Sequence, residues 1–215
     1  MIVRYWMSSK IISVSETSTL LDVVELLRSH RIRRVLVVRG DQLCGIISQS
    51  DLFQFINPSQ FRKVALSSEV EALLRSRSVN DHMTRSPITC GPDDALEDVG
   101  QAMCSRGVRA MPVVRDGKLL GIITESDILR ALTKIAGAGD SSRRICARIP
   151  ATAKTQVCAQ VLHLCEKHRL ELVSLLSHAT ERADQHLVTV RVRGANVERF
   201  VDELWKTHFQ VLQVV

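Results

Sequence analysis

Aromatic residues are scarce in this 215-residue chain: five Phe, two Trp and one Tyr make up 4% of it. So thin a supply argues against a surface that holds single-stranded nucleic acid by stacking bases. Glycine (10) and proline (5) are also few, and a composition of 45% hydrophobic and 24% charged residues is that of a folded chain, not a disordered one. No apolar run approaches the roughly 18 residues a membrane span needs. The longest, such as residues 35–38, are strand-sized. The opening Met1-Ile2-Val3-Arg4-Tyr5-Trp6 lacks the basic-then-apolar plan of a secretory signal. The expectation is a soluble, cytoplasmic protein with no membrane partner, long enough for one large domain or two small ones.

Chemistry-bearing motifs are missing as well. The six cysteines (Cys44, Cys90, Cys104, Cys146, Cys158 and Cys165) form no CxxC and have no paired histidines at zinc-finger spacing. In a reducing compartment they read as small buried hydrophobes. There is no HExxH and no Gly-rich phosphate loop, and the seven histidines are scattered. A catalytic constellation, a metal site and a resident cofactor are therefore not expected. Net charge is +6, divided evenly: residues 1–138 hold 18 Lys/Arg against 15 Asp/Glu, and residues 139–215 hold 11 against 8. No basic tail results. A DNA-binding regulator using the arginines of residues 28–39 is the competing reading, and it requires a single basic face. No helix-turn-helix accompanies those arginines, and phosphate contacts alone give only non-specific affinity.

What the chain does have is an internal repeat. Shifted by 76 residues, 3–56 overlies 79–132 without a gap, and 17 of the 54 positions are identical. Among them are Met7/Met83, Asp22/Asp98, Arg33/Arg109 and Arg39/Arg115. The densest block sets Gly45-Ile46-Ile47-Ser48-Gln49-Ser50-Asp51 over Gly121-Ile122-Ile123-Thr124-Glu125-Ser126-Asp127. Each copy predicts a helix (20–30 and 96–106), with Thr17 to Thr19 and Asp93/Asp94 as N-cap candidates. A β-branched strand follows (35–38 and 111–114), then a hairpin turn, a second strand (43–48 and 119–124) and a final helix starting near Ser50 or Ser126. A unit of about 55 residues is marginal alone, so the copies are expected to pack as one module.

The segment 57–78 opens with Asn57-Pro58, read as a helix stop, and then offers Val64, Leu66, Val70, Leu73 and Leu74 on one helical face. Residues 136–142 (Ala-Gly-Ala-Gly-Asp-Ser-Ser) read as a flexible joint. Beyond it come a strand (144–149), an amphipathic helix (155–168), two strands (170–179 and 186–193), a helix (197–207) and a strand (209–215). That βαββαβ order is the ferredoxin-like plan.

At each strand-to-helix junction a hydroxyl and a carboxylate share one crevice: Ser48, Ser50 and Asp51 in one copy, Thr124, Ser126 and Asp127 in the other. A carboxylate accepts two hydrogen bonds from vicinal hydroxyls such as those of a ribose, and short hydroxyls suit phosphate. Ser and Asp are also the residues that cap helices. Arg33 and Arg109, matched at the same offset, suit bidentate phosphate binding, or stand as solvated charge. The unmatched arginines of the first copy read as solvated.

On these residues the chain resembles the CBS domain family, and its two copies resemble a CBS pair, or Bateman module. The motifs are Met83-Thr84-Arg85-Ser86-Pro87-Ile88-Thr89, Gly107-Val108-Arg109-Ala110-Met111-Pro112-Val113-Val114, and the Gly121 to Asp127 block. The resemblance implies an α/β (α+β) fold of two CBS repeats (1–56 and 79–135) joined by a partly helical connector (57–78). It implies a non-catalytic regulatory protein that binds an adenine nucleotide (AMP, ADP or ATP) or S-adenosylmethionine in clefts between the repeats. Carried over by position, Asp51 and Asp127 are the ribose-binding acids, with Ser48, Ser50, Thr124 and Ser126 beside them. Arg33 and Arg109 are the phosphate contacts, and Ile12 and Ile88 line the adenine slot. The first copy departs from the pattern: Leu36 stands where the second has Pro112, and Ile11 where it has Pro87. Residues 143–215 resemble an ACT domain, and the order CBS–CBS–ACT resembles acetoin-utilisation regulatory proteins. The turn after the first strand of that part, Ile149-Pro150-Ala151-Thr152, lacks the glycine of amino-acid-binding ACT domains, which points to dimerisation. A symmetric homodimer, a protein target and no nucleic-acid partner complete the expectations.

Overall fold

The computed structural model describes residues 1–61, 66–139, 141–182, 184–207 and 210–215. It divides into two compact units, Met1–Ile128 and Leu129–Val215.

In the first unit, β1 (Ser13–Ser15) leads into α1 (Leu20–Ser29). Thr19 caps this helix: its side chain accepts from the Asp22 amide while Asp22 accepts from the Thr19 amide, a reciprocal capping box. Leu20, Leu21, Val23, Val24 and Leu27 recur at helical spacing and are buried. They pack on β2 (Arg34–Arg39) and β3 (Gln42–Ser48), an antiparallel hairpin that buries Val35, Val37 and Ile47. Burial of each such side chain stabilises the fold by about 1.5–3 kcal/mol. A six-residue 3-10 turn, Gln49–Gln54, follows, not the helix expected at Ser50. Asn57 precedes proline and is barred from helical dihedrals, and Pro58 has no N–H to extend a helix. Pro58 instead opens a short helix, α2 (Pro58–Phe61). In α3 (Ser68–Arg75) Leu74 is buried and Val70, with Leu66 ahead of the helix, packs beside the core, but Leu73 faces out; Val64 lies outside the described residues.

The second copy repeats the plan with β4 (Thr84–Arg85), α4 (Leu96–Arg106), β5 (Ala110–Arg115), β6 (Lys118–Thr124) and α5 (Glu125–Ile135). Neither aspartate caps α4. Ala95 holds the N-cap position, Asp94 accepts from the Gly91 amide at 2.8 Å, and Asp93 pairs with Arg4 and Arg115.

The two copies exchange their leading segments. The Ser8 amide donates to Ile122 O at 2.9 Å and the Ile122 amide returns a bond to Ser8 O at 3.0 Å. The counterparts 76 positions away, Thr84 and Ile46, pair in register between β4 and β3. Val3 N donates to Asp94 O (3.1 Å) and Val79 N to Ser18 O (2.9 Å), again the same bond in each copy. Val79 and Met83 belong to the core of the first repeat, although they are sequence neighbours of the second. Gly45 and Gly121 permit this crossing. A Cβ on Gly121 would stand 2.3 Å from Ser8 O, and one on Gly45 would stand 2.5 Å from Met83 Sδ and 2.9 Å from Thr84 O.

In the second unit β7 (Arg143–Pro150), α6 (Lys154–His168), β8 (Glu171–Ala179), β9 (Gln185–Arg193), α7 (Val197–Trp205) and β10 (Gln210–Val214) follow in βαββαβ order. The sheet runs β10-β7-β9-β8, with every neighbouring pair antiparallel. Alternate residues Ile145 and Ile149 of β7 and Val188, Val190 and Val192 of β9 meet Val157, Val161, Leu164 and Cys165 of α6 and Phe200 and Leu204 of α7 in one core. Phe209 lies outside the described residues. The glycine-rich 136–139 segment packs on this sheet: Ser174 Oγ donates to Ala136 O at 3.2 Å, and Gly137 sits against Val173 and Arg191. Asp140 lies outside the described residues.

Candidate functional site

The matched junctions carry matched geometry. Asp51 Oδ2 accepts from the Ser48 amide and from Ser48 Oγ, both at 2.7 Å, and Ser48 Oγ lies 2.8 Å from Ser50 Oγ. Asp127 Oδ2 accepts from the Thr124 amide at 3.0 Å and from Thr124 Oγ1 at 2.6 Å, while the Asp127 amide donates to Thr124 Oγ1 at 3.3 Å. Each carboxylate thus closes a capping box, the structural role that Ser and Asp hold at such positions. Both bonds to Asp51 fall on one oxygen, so no described residue bonds its Oδ1. Ser50 and Ser126 are exposed at the same turns.

Arg33 and Arg109 stand at the start of each hairpin. The Arg33 carbonyl accepts from the Gln49 amide at 2.9 Å and the Arg109 carbonyl from the Glu125 amide at 3.3 Å, which ties each arginine to the turn bearing its own copy's carboxylate. Both side chains are exposed; Arg109 lies 4.0 Å from Glu125. Ile12 and Ile88 are half-buried. The Leu36 amide donates to the Ile12 carbonyl at 3.3 Å. Pro112, at the matching place, has no N–H, and no described donor reaches the Ile88 carbonyl. The two slots therefore differ by one open backbone acceptor.

Arg34 was missed by the sequence reading, which took the unmatched arginines as solvated. It lies opposite Ser48 in the β2–β3 register and is half-buried. Burial lowers its pKa; Arg109 and Arg33 push the same way, while Glu125 and Asp51 oppose them. Those neighbours come from both repeats, so Asp51 of the first copy and Arg109 and Glu125 of the second share one electrostatic environment. The signal in the sequence was only its adjacency to Arg33.

Two of the remaining arginines of the 28–39 stretch are engaged within the fold. Arg28 Nε donates to Phe61 O at 2.9 Å and its guanidinium lies over the Phe61 ring, and Arg39 forms a two-pronged pair with Glu16. A separate cavity of about 270 Å³ is lined by Ile11, Ser13, Val38, Gly40, Asp41, Lys118, Leu119 and Leu120. It lies at the turn end of the first hairpin, away from Ser48, and none of the ten expected site residues lines it. Among the described residues no three His, Cys, Asp or Glu side chains gather as a metal site, and no helix is long and apolar enough to cross a membrane.

Comparison with known proteins agrees with the duplication. The family model described as CBS domain matches residues 3–58 and 79–134. An uncharacterized protein of Methanocaldococcus jannaschii is 32% identical over 145 residues, covering 57% of this chain and 86% of that one. Two longer archaeal relatives, from Thermofilum pendens and M. jannaschii, are matched over only 45% and 42% of their length. The crystal structure of CBSX2 in complex with AMP is similar at 28% identity and a TM-score of 0.51, covering 62% of this chain and 97% of that one. A Vibrio cholerae protein assigned to acetoin utilization is similar at 25% identity and a TM-score of 0.52, covering 64% of this chain and 93% of that one.

Proposed function

The chain belongs to the CBS domain family through both of its repeats, and on that premise we propose that it is a regulatory protein whose paired repeats bind an adenine-containing ligand. Asp51 and Asp127 accept the ribose hydroxyls, with Ser48, Ser50, Thr124 and Ser126 alongside. Arg33 and Arg109 meet the phosphates, and Ile12 and Ile88 flank the base. The observation that carries this reading is the interleaving of the two copies: Ser8 pairs with Ile122 and Thr84 with Ile46, so each strand that ends in a hydroxyl-and-carboxylate turn is flanked by a segment of the other repeat. The AMP held by CBSX2 supports the ligand class. The scattered partners of the 28–39 arginines weigh against DNA binding, which needs one basic face.

The second unit is read as an ACT-like dimerisation element, because its βαββαβ order and β10-β7-β9-β8 sheet fit that plan. Light scattering of the 24.0 kDa chain tests the dimer; a monomer at tens of micromolar refutes it. For the ligand, thermal unfolding with AMP, ADP, ATP and S-adenosylmethionine is the direct test. A ligand at 100 times its dissociation constant adds about 2.7 kcal/mol, which raises the midpoint by about 5–10 °C at this size. No shift with any of the four refutes the reading.

A further inference from the structure

The sheet of the second unit buries one face against α6 and α7, and the alternate residues of each strand belong to the opposite face. In register across that face, Arg144 lies beside Arg191, Cys146 beside Thr189, and Arg148 beside Leu187. On β8, Leu176 continues the Thr189 row and His178 the Leu187 row. On β10, Gln213 and Gln210 continue the same two rows beyond Cys146 and Arg148. The glycine-rich 136–139 segment crosses one corner only, at Arg191.

Charge is sorted between the two sides of this sheet. The strand segments 144–148, 174–178, 187–191 and 210–215 contain no acidic residue. The three arginines of the open face bond neutral groups. Arg144 donates to Gln213 Oε1 at 2.8 Å, Arg148 to Gln210 Oε1 at 3.4 Å, and Arg191 to Ser142 Oγ at 3.3 Å. None of the three pairs with a carboxylate among the described residues. The helical side is the reverse: Arg143 pairs with Glu198 at 3.4 Å and Lys167 with Glu203 at 2.8 Å. Arg193, one row beyond Arg191, is paired as well, with Glu171 at 3.3 Å.

Arg144 and Arg148 stand four residues apart on β7, which sets the two cations about 13 Å apart. The row between them is uncharged. Its Thr189 hydroxyl is turned to Cys146 Sγ at 3.8 Å, and its Leu176 is 40% exposed.

We propose that this open face docks an acidic segment of a partner protein, whose carboxylates flank a short apolar stretch. The carboxylates meet the Arg144 and Arg148 forks, and the apolar side chains cover the Cys146–Thr189–Leu176 row. A second copy laid on this face by a two-fold axis brings together surfaces of like charge, so self-association belongs elsewhere on the unit. Single-stranded nucleic acid finds no aromatic side chain here on which to stack. A duplex backbone is matched by cations, and the uncharged middle row offers it none. The inference uses no residue of the repeats and is independent of the nucleotide reading.

Fluorescence anisotropy on the full chain tests it with a labelled twelve-residue peptide, three repeats of Glu-Leu-Ser-Leu, which spaces its carboxylates as the arginines are spaced. The same peptide with Gln for Glu should bind about tenfold more weakly or worse. Arg144→Gln with Arg148→Gln should weaken the acidic peptide about tenfold, while circular dichroism and the unfolding midpoint show the fold retained. Arg148→Lys, which keeps the charge, should stay within a few-fold of the unchanged protein and upholds the proposal if the double variant proves unstable. Arg143→Gln with Lys167→Gln removes the same charge from the helical side and should change affinity by no more than about twofold. An equal loss in that control reduces the attraction to net charge and overturns the proposal, as does no binding of the acidic peptide at millimolar concentration. If a twelve-base-pair DNA duplex displaces the peptide at lower concentration than the unlabelled peptide does, and needs the same two arginines, the occupant is nucleic acid and the proposal is wrong.

Discussion

Asp127 closes a cap by its hydrogen bonds and accepts a ribose in the proposal above, two roles that one substitution confounds and a pair of substitutions separates. As a cap, its Oδ2 accepts from the Thr124 amide at 3.0 Å and Thr124 Oγ1 at 2.6 Å at the start of the eleven-residue α5. Asp127→Ala deletes both bonds and leaves the Thr124 amide without its side-chain acceptor, which costs about 1 kcal/mol and at most about 2. For a chain of this size that is a fall of about 2–8 °C in the unfolding midpoint without ligand. Asparagine keeps one side-chain oxygen to accept from the Thr124 amide, so Asp127→Asn should restore most of the midpoint. It does not restore the charge. An amide offers one acceptor oxygen where the carboxylate offers two, so a ribose that bonds Asp127 loses a charge-assisted bond worth roughly 1.5–3 kcal/mol, about 10- to 100-fold in affinity. Midpoints without ligand, read beside calorimetric affinities for adenosine, distinguish the roles. Native-like affinity in Asp127→Asn would reduce Asp127 to a cap and refute its place in the ligand site. An unchanged midpoint in Asp127→Ala would refute the capping geometry.

Leu36→Pro should free the Ile12 carbonyl and tighten adenosine binding at the first slot, while lost packing lowers stability by about 1–3 kcal/mol; calorimetry showing no gain at that slot would sink the idea that this carbonyl is a ligand acceptor. Gly121→Ala should destabilise more than Gly45→Ala, because the first Cβ meets backbone Ser8 O at 2.3 Å whereas the second first meets the flexible Met83 Sδ. The reverse order in chemical denaturation would overturn the crossing as drawn. Cys90, whose thiol is pushed up to about 12 by burial and by Asp94, stays protonated and should resist alkylation at pH 8. Exposed Cys104 should label first, and equal rates by mass spectrometry would contradict the burial of Cys90.

Much of the fold was legible because its signals are local. Residues Leu20 to Leu27 show helical spacing, three of residues 35–38 are β-branched, and Thr19 with Asp22 spells a capping box within four positions. The exchange of leading segments was not legible in the same way, since Ser8 finds Ile122 across more than a hundred residues and no periodicity encodes that pairing. One trace of it was present. Gly45 and Gly121 interrupt apolar strands where no turn is needed, and a glycine there signals another backbone passing close. The truncated turn of the first copy was encoded in Pro58, whose effect reaches back to Asn57. The site was half legible. Ser48 with Asp51 and Thr124 with Asp127 predicted both a cap and a ligand site, and the cap is what their hydrogen bonds describe. Arg34 ran against the sequence logic altogether. Matching between copies argued for Arg33 and Arg109 and dismissed their neighbour, yet proximity to the opposite repeat is set by packing, not by duplication.

Those two classes of position divide the labour of the module. Val3/Val79, Leu20/Leu96, Gly45/Gly121 and Ile46/Ile122 are identical between copies and sit on the crossing or in the cores, where the same bonds form twice. Reciprocity constrains them: each copy closes its core with a segment of the other, so a misfit in either opens both. Arg34/Ala110 and Leu36/Pro112 differ between copies and stand at the clefts, where a change alters one guanidinium or one backbone amide donor without disturbing the frame. If both clefts take the proposed ligand, a symmetric scaffold with asymmetric clefts presents it with two affinities. Occupancy of the tighter cleft would then saturate first and the second follow at higher concentration, so that a titration would span a wider range of concentration than two equal sites give. Because the copies are interleaved, a strain at either cleft falls on segments that belong to both.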